Sequence, residues 1–321
     1  MLPRWLRLLG MGAGILLLVV LPPFLSGFLL TLFTQALILG ILAMSLDLLL
    51  GYTGLASLSQ AAYLGLGAYS VGILTTWYRS SFWSGFWVTL AVGLLLSAAF
   101  AGLFGMVALR ATGVYFLMIS LAIGMVVWGL AIRWVSVTKG DNGISGIPKP
   151  ELGLPWSPAE ALPFYYFALG FFLLSLWILL RVVGSPFGHS LVGIRESESR
   201  MRIMGYHVWL HKYLAFVISG AFGGLAGVLW AYYNSFASPA DAELAVSVEV
   251  LLMVALGGQG TLVGPALGAW LIVLLKNLMS IATQRWVIVL GAVYVLTIVY
   301  APQGVMGIVR QLTEGGENSS P

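Results

Sequence analysis

The sequence contains no cysteine, which excludes disulfides and thiolate metal sites but leaves the compartment open. Charge is nearly as scarce. Asp, Glu, Lys and Arg make up 8% of 321 residues, against 60% hydrophobic residues and a mean hydropathy of +0.99. So few charges cannot cover the surface of a soluble globule. No GxxxxGK[ST] phosphate loop and no nucleophile–base motif occurs, so no enzyme activity is expected and any ATP hydrolysis would belong to another polypeptide. The three histidines, His189, His207 and His211, share one polar stretch. The apolar runs therefore hold none of the Asp/Glu/His relays that a proton-coupled carrier needs, and no metal site or other cofactor is expected. The net charge of +4 is small, and loop lysines and arginines explain it without nucleic-acid binding.

What the chain has in abundance is hydrocarbon. Runs of about 20 apolar residues recur along its length, the signature of membrane-crossing helices. The short alternating segments of a β-barrel are absent. The expected fold is an all-α polytopic bundle of about ten transmembrane helices, in one domain over residues 1–321, with its outer surface solvated by membrane lipid. The apolar segments fall at 8–26, 28–50, 57–77, 86–109, 113–133, 164–183, 213–233, 246–262, 264–281 and 286–309. Arg4 and Arg7 ahead of the first could belong to a signal peptide. Without a clear small-residue cleavage site, and with more spans following at once, a retained helix is expected.

Orientation follows from the basic residues. With a cytoplasmic N-terminus, Arg4, Arg7, Arg110, Arg181, Arg195, Arg200, Arg202, Lys212 and Arg310 fall inside. Arg79, Arg133, Lys139, Lys149, Lys276 and Arg285 fall outside. The stretch 184–212 decides the balance with four basic residues, so it is expected in the cytoplasm together with both termini. The stretch 135–163 is then the main external loop, rich in Gly, Pro, Asp and Asn. It is a set of turns long enough to gate a pathway or to receive an extracytoplasmic partner.

Two glycine-rich stretches interrupt the apolar pattern: GYTGLASLSQ at 51–60 and LGGQGTLVGP at 256–265. Each runs from an apolar segment through a short polar patch into a small-residue helix. Irregular backbone at membrane depth is tolerated where protein buries it or where it lines a cavity, and paired interruptions point to a translocation path. Ser57, Ser59, Gln60, Gln259 and Thr261 are candidate path residues, with interhelical hydrogen bonding as the alternative. Gly65, Gly67 and Ala68 suit close helix packing. Asp47 and Glu249, the two acidic residues shortly before these breaks, either flank the path or are hydrogen-bonded at helix ends. Lys276 is expected to reach toward the outer interface.

The longest polar stretch, 184–212, holds Arg195, Glu196, Glu198, Arg200, Arg202 and Lys212. Within it Ile194, Met201, Met204 and Val208 recur at helical spacing, which predicts one apolar stripe on a short charged helix closed by Gly205. Such a helix either fits a groove on a cytoplasmic partner or lies on lipid headgroups.

The run GIRESESRMRIMGYHVWLHKYLAFVISGAFGGLAGVLWA resembles the cytoplasmic coupling loop and following span of branched-chain amino acid ABC importer permeases of the LivM type. GYTGLASLSQAAYLGLGAY, LLMVALGGQGTLVGPALGAW and TKGDNGISGIP resemble three further stretches of that family, in the same order. The similarity covers about 46–275. It implies a subunit of a bacterial inner-membrane importer of leucine, isoleucine or valine, with a urea or short-amide importer as the alternative and a stand-alone carrier or channel as a more distant one. It also implies a second, homologous permease, two cytoplasmic ABC ATPases and an extracytoplasmic solute-binding protein. Glu198 and Gly205 match the acidic residue and glycine of the family's coupling loop, so the resemblance assigns ATPase coupling to Ile194, Glu198, Arg200, Met201, Met204, Gly205 and Val208. Arg200 and Met201 stand where the family usually has two alanines, and Asp47 where it usually has an uncharged amide.

Overall fold

The structure, a computed structural model, describes residues 16–78, 84–150 and 160–282, with isolated positions at 14, 291–292, 304 and 306–307. Nearly all of the apolar segment 286–309, the start of that at 8–26, the middle of the 135–163 loop and Arg4, Arg7, Arg79, Arg285 and Arg310 lie outside the described residues.

The longer helices are α1 (Gly27–Asp47), α2 (Gln60–Trp77), α3 (Phe86–Ala108), α4 (Val114–Arg133) and α5 (Ala161–Val183). After two short helices, α6 (Pro186–Glu196) and α7 (Glu198–Ile203), come α8 (Val208–Asn234), α9 (Leu244–Gly257) and α10 (Val263–Ala282). Six of the described helices are long and apolar enough to cross a membrane, in the spans Gly27–Thr53, Phe86–Ala108, Val114–Arg133, Ala161–Val183, Val208–Asn234 and Val263–Ser280. The expected span at 57–77 is helical from Gln60 to Trp77, 18 residues, and that at 246–262 becomes a shorter helix. At 14 residues α9 reaches only about 21 Å, less than the roughly 30 Å hydrocarbon core.

The bundle is organised around α1, which packs against α5, α8, α9 and α10, and around α8, which packs against α2 and α3. Most of α1 is buried; its N-terminus is capped by the Ser26 side chain, which accepts from the Leu29 amide. The α2–α8 contact is a glycine crossing. A Cβ on Gly67 would sit 2.2 Å from the Gly224 carbonyl oxygen, and one on Gly227 2.0 Å from that of Leu64. Only hydrogen at these positions lets the backbones approach so closely. By contrast α3 and α4 turn Leu95, Leu103, Met118 and Leu130 outward, as lipid-facing surface requires.

At the end opposite α6 and α7, β1 (Ile144–Ser145) pairs antiparallel with β2 (Phe236–Ala237), in a stretch where only turns are expected. Lys149 fastens this loop. Its Nζ donates to the Tyr232 and Tyr233 carbonyls at the C-terminus of α8, each at 2.9 Å, and lies 5.2 Å from the centre of the Phe164 ring. A cation there complements the helix dipole, while burial lowers the lysine below its ordinary pKa. Nearby, burial raises the Asp241 carboxyl above the usual carboxylate range, against the pull of its bonds from the Ser238 amide and side chain and the Trp230 indole.

Candidate functional site

The polar stretch 184–212 folds as two helices rather than one. Ser185 starts α6 by accepting from the Gly188 amide, with Pro186 in the first turn. At Ser197 the backbone becomes extended and the side chain accepts from the Arg200 amide, so α6 ends and α7 begins. Gly205, at φ +86°, stops α7 in the left-handed region that favours glycine. The Gly205 amide bonds the Arg202 carbonyl and the Tyr206 amide bonds the Met201 carbonyl, the pair of contacts that define a Schellman stop.

These two breaks redistribute the expected stripe. Ile194, Met201 and Val208 come from α6, α7 and α8 and pack together as one buried cluster. Met204 is turned outward, beside Ile203 at 88% exposure and half-exposed Tyr206, Trp209 and Leu210. The single stripe on a single helix is therefore corrected: three of its residues fasten the α6–α7 fold from inside, and the fourth joins a separate outward apolar edge. Glu198 faces buried Lys212, with Arg202 at 3.6 Å on the other side. It ties α7 to α8. Arg200 and Gly205 are exposed.

The two glycine-rich breaks meet at the same end of the bundle. Beyond Asp47, α1 widens into a π-helical turn, Leu48–Thr53, closed by Gly54 in the left-handed region. Gly51 in this turn touches Gly260 of the second break so closely that a Cβ would lie 2.4 Å from the Gly260 nitrogen and 2.2 Å from Asp47 Oδ1. The Asp47 carboxylate is fully buried and accepts from the Gly260 amide at 2.7 Å and the Leu262 amide at 3.0 Å. Its charge thus answers backbone donors that the break of the second segment leaves without helical partners. Thr261 starts α10, its hydroxyl accepting from the Gly264 amide at 3.0 Å. Gln259 stands exposed on the turn between them. Arg195, from the last turn of α6, donates Nη1 to the Gly51 carbonyl.

Deeper in the bundle lies a polar belt. Residues 54–59 are non-helical, and α2 begins at Gln60. Ser120 of α4 accepts from the Leu58 amide at 2.9 Å and Ser247 of α9 from the Ala61 amide at 3.0 Å. Gln60 Nε2 donates to Ser219 at 2.9 Å, Ser219 donates to the Ser45 carbonyl at 2.7 Å, and Ser45 Oγ lies 3.1 Å from Gln60 Oε1. The Ser57 and Ser59 hydroxyls lie 2.8 Å apart, and Ser59 also bonds Tyr63. Ser57, Ser59 and Gln60 are completely buried; Gln60 bonds across to α1 and α8, whereas Ser57 and Ser59 bond each other and Tyr63 at the start of α2. Glu249 and Lys276, expected to act separately, form an ion pair between α9 and α10 at 2.9 and 3.1 Å. Opposite charges on apolar helices are less costly together than apart.

Arg195 and Lys212 stand out in the sequence only among the charges of 184–212, and Ser45, Ser120, Ser219 and Ser247 not at all. For these serines the one available signal is their isolation inside apolar runs, since a lone hydroxyl in hydrocarbon needs a partner.

Residues 28–298 match the family described as the branched-chain amino acid transport system permease component. The chain belongs to that family. The permease is 33% identical over 299 residues to the high-affinity branched-chain amino acid transport system permease protein LivM of Escherichia coli K12, covering 86% of this chain and 69% of that one. The LivM of Salmonella typhimurium LT2 matches with the same identity and coverage. A probable branched-chain amino acid transport permease LivM of Methanocaldococcus jannaschii is 29% identical over 143 residues, 44% of this chain and 41% of that one. No solved structure matches the permease. With its apolar helices, the family membership makes it a multi-pass membrane protein whose relatives are transport permeases rather than enzymes.

Proposed function

We propose that the permease is a transmembrane subunit of an ATP-binding-cassette importer that carries leucine, isoleucine and valine across the bacterial inner membrane. The carrying observation is its 33% identity, over 86% of its length, to proteins described as high-affinity branched-chain amino acid transport permeases. It does no bond chemistry itself. Two ABC ATPases bind from the cytoplasm, a second homologous permease completes the path, and an extracytoplasmic binding protein delivers the solute at the β1–β2 end. About ten transmembrane helices place both termini in the cytoplasm.

The α6–α7 fold is the ATPase contact. Ile194, Met201 and Val208 hold its shape, Glu198 braces it to Lys212, and the Gly205 stop aims Arg200 and Met204 outward. The path runs beside the belt of Ser57, Ser59 and Gln60 and the junction of Asp47, Gln259 and Thr261, flanked by the Glu249–Lys276 pair. The wild-type permease should co-purify with the ATPase. Ile203→Asp puts a charge on the most exposed apolar residue of α7. It should weaken that association at least ~10-fold without lowering permease yield, because a central apolar anchor in a desolvated interface is worth ~2 kcal/mol or more. Unchanged ATPase recovery with Ile203→Asp would place the contact elsewhere.

A further inference from the structure

We propose that Arg195 is a positioning residue: it latches the α6–α7 fold to the junction of the two helix breaks, and ATPase-driven movement reaches the membrane helices through it. The proposal rests on the importer reading above and adds to it a route for force. α6 is a short helix that packs against the first break and carries Arg195 in its last turn. There the Arg195 guanidinium donates to the Gly51 carbonyl, in a π-turn where the usual helical ladder is interrupted. Its Nη1 also lies 3.6 Å from the position a Cβ on Gly260 would take. The side chain therefore sits where both breaks converge.

Those breaks are one mechanical unit. Gly51 and Gly260 are in backbone contact, and the Asp47 carboxylate grips the Gly260 and Leu262 amides. A pull on the Gly51 carbonyl must then shift α1 and α2 on one side of the junction and α9 and α10 on the other. Arginine suits the task because its planar fork presents several fixed donors to a carbonyl. The residue touches no solute in this account. Its work is to hold two moving parts in register.

The test uses the full complex in proteoliposomes, comparing wild type, Arg195→Met and Arg195→Lys. Methionine keeps an apolar stem and removes every donor; lysine restores a cation with a donor. Solute imported per ATP hydrolysed should fall ~10-fold or more in Arg195→Met, the factor expected for one charge-assisted hydrogen bond, and recover in part with Arg195→Lys. A merely structural role would lower yield and both rates together and leave that ratio alone. In the purified permease, amide hydrogen exchange at 48–53 and 258–262 should rise together in Arg195→Met. Wild-type coupling in Arg195→Met, unchanged exchange at both breaks, or loss of ATPase association in both variants overturns the latch. If the wild-type complex imports no branched-chain amino acid, the importer reading fails instead, and the exchange measurement still decides the latch.

Discussion

Gly51→Ala should be among the most damaging single-methyl substitutions in the chain, abolishing transport and lowering the denaturation temperature of the purified permease. The new Cβ would lie 2.2 Å from Asp47 Oδ1, 2.4 Å from the Gly260 nitrogen and 2.8 Å from the Gly260 Cα. Two of these are backbone atoms in a tight turn and cannot move aside as a flexible side chain would. Overpacking of this kind costs about 1–3 kcal/mol, occasionally more, and here it also pries apart the Asp47–Gly260 bond. Gly129→Ala is the matched control. Gly129 lies within α4 with nothing within 4 Å of its Cβ position. Alanine there should be neutral or stabilising, by up to ~1 kcal/mol, because glycine is a poor helix former. Thermal denaturation of the two variants side by side decides it, and equal melting temperatures would remove the tight junction from the account.

The second large effect is expected at Asp47. Asp47→Leu preserves the volume of the site but strips the acceptors from two amides, Gly260 and Leu262, in a fully buried position. Each orphaned donor costs about 1–3 kcal/mol. Asp47→Asn keeps one carbonyl oxygen and so should lose about half as much. The expected order of stability is Asp, then Asn, then Leu, read from denaturation midpoints in one detergent. If Asn and Leu behaved alike, the clamp would not depend on acceptors.

Some of this architecture is legible along the chain and some is not, and the difference is one of range. The stop of α7 is written locally: a charged helical run followed by Gly205 requires a left-handed turn, and the Schellman bonds are its consequence. The two breaks can likewise be seen as paired glycine-rich stretches. That they touch cannot be seen, because Gly51 and Gly260 are joined through backbone contact rather than through any complementary pair of side chains. The stripe differs from its sequence pattern for a related reason. Its 3.6-residue spacing runs across Ser197 and Gly205, where the chain turns, so residues that look like one face belong to three helices. Arg195 carried no signal of its own within a polar stretch already rich in charge. Lys276 looked like a residue reaching for the interface, and only the packing of α9 against α10 brings Glu249 to it.

The importer assignment is tested most directly by reconstitution. Permease, its homologous partner, ATPases and binding protein are placed in liposomes, and uptake of labelled leucine, isoleucine, valine and urea is followed with and without ATP. The account predicts uptake of the three amino acids only with ATP and the complete complex, and no uptake by the permease alone under an imposed proton or sodium gradient. Movement of solute by the purified permease alone, driven by such a gradient, would contradict it.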